Sequence, residues 1–246
     1  MVKYIHYGVV CSDERITAMY KYETHLHTKE GSACSSAPAE EMALRHKELG
    51  YDGIFVTNHF FTGNTSVPRD LPWEEKIELY CKGYEIAKAV GDDIGLKVFF
   101  GVEHCVYSSD FLIYNIDKQF LLDNEALFMS CDERKLFSTI RACGGFIVHA
   151  HPFRSDPYIH HISLYPYDVD AVEVINASHD PKNMYNQRAE LYADMYGLPK
   201  TGGSDSHHVN LLFGGGISVP EPINEPADYL RMIREGTVVP LPRTLP

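Results

Sequence analysis

The chain is most constrained by an alternation. Short runs rich in Val, Ile, Phe and Tyr recur at 20–26, 53–58, 97–102, 111–116, 145–150, 171–176 and 199–203, and each has the character of a strand. Between them lie stretches with apolar residues at helical spacing. "SAPAEEMALRHKELG" carries Ser36 as an N-cap, Pro38 and acidic residues early, and Gly50 as a stop. "PWEEKIELYCKGYEIAKAVG" ends at Gly91, and "CDERKLFSTIRACGG", "DPKNMYNQRAELYADMYG" and "EPADYLRMIREG" follow the same design. Repeated strand–helix units predict parallel strands with helices outside them. Seven such strands in 246 residues predict a closed or nearly closed α/β barrel, with a doubly wound open sheet as the alternative. No internal repeat, low-complexity linker or composition break divides the chain, so a single domain over 1–246 is expected.

The chemistry-bearing residues fall where these strands end. His25 and His27 close the first, and side chains two apart on a strand share a face. His59 follows the second, Glu103 and His104 end the third, His149 and His151 stand near the end of the fifth, and Asp205 and His207 follow the seventh. In a barrel the carboxyl ends of the strands surround one mouth, so residues distant in sequence converge there. Taken singly, each has an ordinary reading as a cap, turn or hydrogen-bonded core residue. Five strand ends all offering His, Asp or Glu point instead to a metal site. The imidazole and carboxylate donors, without thiolate, suit zinc, manganese or iron. There are more of them than one tetrahedral ion takes, so two or three divalent ions are expected, with Glu103 bridging. Such sites activate water and hold substrate oxygens, which is hydrolytic chemistry. His160, His161 and His208 read as surface residues.

The formal net charge of −12 disfavours nucleic acid as a partner. The start "MVKYIHYGVVCSDE" lacks the apolar stretch of a signal peptide, and no run is long enough to span a membrane. The six cysteines are scattered without CxxC spacing and read as reduced thiols. A cytoplasmic protein acting on a small molecule is the expectation.

The order of motifs is informative beyond the residues themselves. "HLH" (25–27), "TNH" (57–59), "GVE" (101–103), "AHP" (150–152) and "GSDSH" (203–207) together resemble the PHP (polymerase and histidinol phosphatase) family, over about residues 22–216. The resemblance implies a distorted (β/α)7 barrel, a two- or three-metal site at the carboxyl ends of its strands, and phosphoester hydrolysis. Carried over by position, it makes His25, His27, His59, Glu103, His151, Asp205 and His207 ligands. His25, His27, Glu103 and Asp205 would serve one ion, Glu103 and His151 a second, and His59 and His207 a third. The chain departs from the family pattern twice. After the first motif it reads "HTKEGSAC", where Glu30 is the ready substitute for a ligand, and before the fourth strand it reads "SSDFLIY", with Asp110. His149, expected to share the face of His151, is an additional ligand candidate, with a buried structural histidine as the equal alternative.

Phosphate chemistry also calls for a cation. Arg154 in "HPFR" is best placed, with Arg69 and Lys29 as weaker candidates. The expected reaction is in-line attack of metal-activated water on the phosphorus of a small phosphorylated substrate, such as histidinol phosphate, a nucleotide or a sugar phosphate. Arg154 would stabilise charge there, and Asp205 or His207 would manage the proton. A metal-dependent hydrolase of C–N bonds and a non-catalytic metal-binding barrel are the alternatives. Glu103, standing where amide hydrolases would need a carboxylated lysine, favours phosphoesters.

Overall fold

The structure, a computed structural model, describes residues 19–130, 132–157 and 159–244. Of the six cysteines, Cys11 and Cys131 lie outside these residues, and Cys34, Cys81, Cys105 and Cys143 are free thiols. The elements run β1 (Tyr20–Leu26), α1 (Ala39–Glu48), β2 (Gly53–Val56), α2 (Trp73–Ile94), β3 (Lys97–Val106), β4 (Ser109–Tyr114), α3 (Lys118–Asp123), α4 (Glu125–Phe128), α5 (Glu133–Ala142), β5 (Phe146–Ala150), β6 (Ala171–Asn176), α6 (Tyr185–Tyr196), β7 (Lys200–Gly203), β8 (Ile217–Val219), α7 (Pro226–Glu235) and β9 (Val239–Pro240). The strands form one sheet in the order β7-β6-β5-β4-β3-β2-β1-β8-β9. The sheet curls until β7 meets β1. The Thr24 hydroxyl donates to the Gly202 carbonyl at 2.6 Å, and the amides of Asp205 and His27 donate to the carbonyls of His25 and Ser206 at 2.8 and 2.9 Å. The architecture is therefore mixed α/β with a nearly closed, barrel-shaped sheet.

All seven expected strands are present, but they are not all parallel. β4 runs antiparallel to both β3 and β5. No helix separates β3 from β4. They join in a tight hairpin through Tyr107 and Ser108, both at positive φ, the backbone demanded by a two-residue turn between twisted strands. β8 adds antiparallel to β1, and β9 to β8, making nine strands among the described residues. The reversal of β4 matters for the site: the start of β4, not its end, reaches the mouth, and Asp110 comes with it.

Two helix boundaries also shift. α1 begins after Pro38 with no side-chain cap. Instead, the Glu30 carboxylate accepts the amide of Ala39 at 3.2 Å, while the Ser36 hydroxyl pairs with His208 Nδ1 at 2.7 Å. α2 runs past Gly91 to Ile94 and stops at Gly95, which takes the left-handed φ of 70°. Gly91 is a close-packing residue rather than a stop, since a Cβ there would sit 2.6 Å from the Leu96 carbonyl.

Alternate residues of the strands feed two layers. Phe146, Val148 and Ala150 of β5 join an inner cluster with Tyr22, Phe55, Leu112, Tyr114 and the α7 residues Tyr229, Met232 and Ile233. The Tyr229 ring lies 5.5, 5.6 and 5.4 Å from the rings of Phe55, Tyr114 and Phe146. α7 thus plugs one end of the barrel with apolar surface, and truncating so large a buried side chain costs about 3–5 kcal/mol. The other end, where β1, β2, β5, β6 and β7 finish, stays polar. No helix among the described residues is long and apolar enough to cross a membrane.

Candidate metal centre

The polar end gathers what the strands deliver. His25 and His27 are fully buried, and their Nε2 atoms approach to 3.1 Å. Asp205 Oδ1 lies 3.5 Å from His25 Nε2 and 3.2 Å from His27 Nε2. Glu103 stands in the middle with its two oxygens facing different imidazoles. Oε1 is 3.3 Å from His25 Nε2 and 3.1 Å from His151 Nε2. Oε2 is 3.4 Å from His27 Nε2 and 2.5 Å from His59 Nδ1. The His207 ring stacks on His27 with centroids 4.2 Å apart, and its Nδ1 is 2.9 Å from the Asp205 carbonyl. Three sets of donor atoms are each mutually within 4.8 Å: His25, His27 and Asp205; His25, Glu103 and His151; and His27, His59 and His207. All seven residues predicted as ligands thus converge on one pocket.

The electrostatics of this cluster fit cations. Burial would raise the carboxyls of Glu103 and Asp205. The imidazoles around them, His59 and His25 for Glu103 and His25 and His27 for Asp205, override it and hold both well below the usual carboxylate range. Burial would depress His25, but Glu173, Asp205 and Glu103 hold it well above the ordinary imidazole value. His27 goes the other way, lowered by burial and by its neighbours His207 and His59. A neutral imidazole with an open Nε2 is a ligand-competent state. Glu103 Oε2 and Asp205 Oδ1 are buried without a hydrogen-bond donor of adequate geometry. Buried carboxylate oxygens left unpaired are costly, and divalent ions among these donors would satisfy both.

Behind the donors stands a supporting layer. The Glu173 carboxylate on β6 meets His25 Nδ1 at 2.9 Å, aiming Nε2 at the pocket, and also accepts the His151 amide at 3.0 Å. Asn176 ties Glu173 to Asp205, its Nδ2 donating to them at 3.1 and 3.2 Å. The Ser32 hydroxyl contacts His27 Nδ1 at 2.9 Å and takes the His59 amide at 3.0 Å. Asn58 Oδ1 accepts from Ser32 Oγ at 3.0 Å. Such partners fix the tautomer and orientation of metal-binding histidines.

Three sequence candidates are not where they were expected. Glu30 is drawn to the start of α1, where the unpaired amide of Ala39 takes its carboxylate. His149 faces out of the barrel, stacked on Phe111 at 5.2 Å and packed against Tyr165 and Tyr192. The shared-face argument fails because β5 ends at Ala150, and His151, with φ of 27°, begins a turn that swings its side chain inward. His149 is pushed down to about 3 by burial, in keeping with a neutral core residue. Arg69 spends its guanidinium on the carbonyls of Phe61 and Gly63 at 2.6 and 3.0 Å. Asp110 does approach, its Oδ2 4.0 Å from His151 Nε2. Arg154 lines the mouth, with Nη1 3.5 Å from Asp205 Oδ2 and Nε on Asp156 at 2.7 Å. The mouth opens into a cavity of about 790 Å³ walled by His59, Asp110, Arg154, Asp205, His207 and Phe213 among others.

Comparison with known proteins gives one family match and several similar folds. Residues 183–238, spanning α6 to α7, match the PHP-associated family (PHP_C). The fold is similar to a two-domain protein from Bacteroides vulgatus that contains a predicted PHP-like metal-dependent phosphoesterase, with TM-score 0.68, 14% identity and coverage of 92% of this chain. The chain thus carries a PHP-associated segment and is similar in fold to a protein with a PHP-like domain. It spans 65% of the length of that two-domain relative. It is also similar to PsfC from Pseudomonas syringae, with TM-score 0.62, 19% identity and 91% of each chain covered. A third similar structure is an amidohydrolase from Chromobacterium violaceum with sulfate bound and no metal, with TM-score 0.53, 17% identity and coverage of 89% of this chain and 97% of that one. No curated protein matches the sequence.

Within this centre, the supporting residues and one cysteine at the mouth were not foreseen from the sequence. Glu173 had a signal: a lone acid inside the apolar run "AVEVIN". Ser32 and Asn176 had none, since small polar residues near turns are common. Cys34 was read only as a thiol. It stands at the mouth beside His59 and His207. Burial would raise its pKa, but these two imidazoles bring it to about 6.

Proposed function

We propose that this protein is a metal-dependent hydrolase of small phosphomonoesters. The carrying observation is Glu103, whose Oε1 lies between His25 and His151 and whose Oε2 lies between His27 and His59, so that one carboxylate stands among imidazoles assigned to different ions. His25, His27 and Asp205 would hold one ion with Glu103, His151 a second with Glu103, and His59 and His207 a third. Zinc, manganese and iron all suit these donors. Divalent ions bound there supply Lewis acidity and lower the pKa of coordinated water.

The chain's own groups supply the rest. Arg154 offers the mouth a guanidinium, which can grip two phosphoryl oxygens once it gives up its contact with Asp156. Where the third site is empty, His207, half-buried at the rim with its Nδ1 3.6 Å from Asp205 Oδ1, is suited to give a proton to the leaving oxygen. Phe213 and Leu211 give the cavity an apolar side that would face the organic part of the substrate.

A second reading, hydrolysis of a C–N bond, is favoured by the likeness to the Chromobacterium violaceum amidohydrolase. Panels of phosphomonoesters and of amides, assayed with and without added metal on the protein and on Asp205→Ala and His27→Ala, separate the two. Metal-dependent phosphate release lost in both variants supports the proposal. Turnover of amides alone overturns it in favour of the second reading, and an inert protein that binds metal overturns both.

A further inference from the structure

We infer that Cys34 is a thiolate ligand that completes the third ion's site with His59 and His207. The inference rests on the reading of the mouth as a metal centre and goes beyond its imidazole and carboxylate donors. His27 is geometrically close to His59 and His207, but it has only one nitrogen to give. Its Nδ1 is taken by Ser32, and its Nε2 faces Asp205 and Glu103. That leaves the third site two protein ligands, one fewer than an open catalytic zinc site normally has.

The backbone brings Cys34 to that gap. Ser32 is tied to the His59 amide at 3.0 Å through its hydroxyl. Three and four residues past it, the Ser35 hydroxyl and Ser36 amide both reach the His207 carbonyl, at 3.0 and 3.1 Å. The segment 32–36 is thus stapled at one end to His59 and at the other to His207, with Cys34 between them. Cys34 is exposed onto the mouth cavity, whose wall it shares with both imidazoles. A separate feature of the same place calls for a cation: Glu103 Oε2, buried and without a hydrogen-bond donor, lies 2.5 Å from His59 Nδ1. A His, His, Cys set with an open position is soft enough to prefer zinc over manganese. It also exposes the site to oxidants, because a thiolate converted to sulfenic acid loses its donor sulfur.

The test is cobalt(II) titration of the metal-stripped protein, read by absorption, together with zinc stoichiometry by mass spectrometry. The expected result is a sulfur-to-cobalt charge-transfer band in the near ultraviolet. It persists in Cys105→Ser, whose thiol lines the same mouth, and disappears in Cys34→Ser. Cys34→Ser should bind one zinc equivalent at least about tenfold more weakly, the lower end of what even outer partners of a metal cost. Cys34→His should restore the stoichiometry without the band. Circular dichroism checks that each variant folds. A wild-type protein that binds metal with no such band, or a band that survives Cys34→Ser, overturns the assignment of Cys34 alone. A protein that binds no cobalt or zinc overturns the metal-centre reading with it.

Discussion

Replacing Glu173 with glutamine isolates the role of the layer behind the ligands. The carboxylate accepts three hydrogen bonds. His25 Nδ1 sits 2.9 Å from Oε1, and the His151 amide and Asn176 Nδ2 meet Oε2 at 3.0 and 3.1 Å. An amide of the same shape has one acceptor oxygen. Placed at Oε2 it keeps two of the bonds and turns its NH2 toward His25 Nδ1. Two donors then face each other unless His25 changes tautomer, carrying its proton on Nε2. That proton occupies the lone pair aimed at Asp205 and Glu103. Glu173→Gln should therefore weaken the first ion by about 10–100-fold, or about 1.4–2.8 kcal/mol, as outer partners of metal-bound histidines do. The assay is calorimetric zinc titration of the stripped protein, with circular dichroism as a check of folding. A folded Glu173→Gln protein that binds zinc with wild-type affinity would refute the argument that Glu173 sets the His25 tautomer.

Other outcomes follow from the same geometry. Gly203→Ala would place a methyl group against the His25 Cβ and 2.6 Å from Glu173 Oε1, so it should lower stability by about 1–3 kcal/mol and weaken metal binding, both read from thermal melts with and without zinc. Arg154→Ala should retain metal but reduce kcat/KM for phosphomonoesters by roughly 10–150-fold, the worth of about 1.5–3 kcal/mol for a charged hydrogen bond, as steady-state kinetics would show. His46, buried against Tyr51 and hydrogen-bonded to the Met42 carbonyl at 2.8 Å, is pushed down to about 4 by burial. Its folded pKa lies below its unfolded value near 6.5, so its contribution is fully present above about pH 6.5 and drains away as the pH falls toward 4. Between pH 7 and pH 5 the wild type should lose on the order of 2 kcal/mol more than His46→Gln in urea melts.

The sequence carried the strands because buried runs of Val, Ile, Phe and Tyr need few companions to be recognised, and β1 and β6 fall on their predicted residues. The direction of β4 was hidden because its turn uses Tyr107 and Ser108 at positive φ instead of the Asn-Gly pair that advertises a hairpin. β8 and β9 are three and two residues long, too short for a periodic signal. The clustering of the seven polar residues was legible because His, Glu and Asp at strand ends are rare and the barrel makes strand ends neighbours. The face of His149 was not, because a turn beginning one residue after β5 separates it from His151. Ser32, Asn176 and Cys34 depend on loop geometry that only tertiary structure sets.

The central claim is that seven side chains from separate strand ends hold divalent ions together. Anomalous X-ray diffraction at the zinc edge, on crystals soaked in zinc, tests it most directly. The account predicts separate peaks about 2.0–2.2 Å from the His25, His27 and His151 nitrogens and the Glu103 and Asp205 oxygens, with Glu103 shared between two of them. Zinc at other surface positions only, with no peak within bonding distance of Glu103, would contradict it.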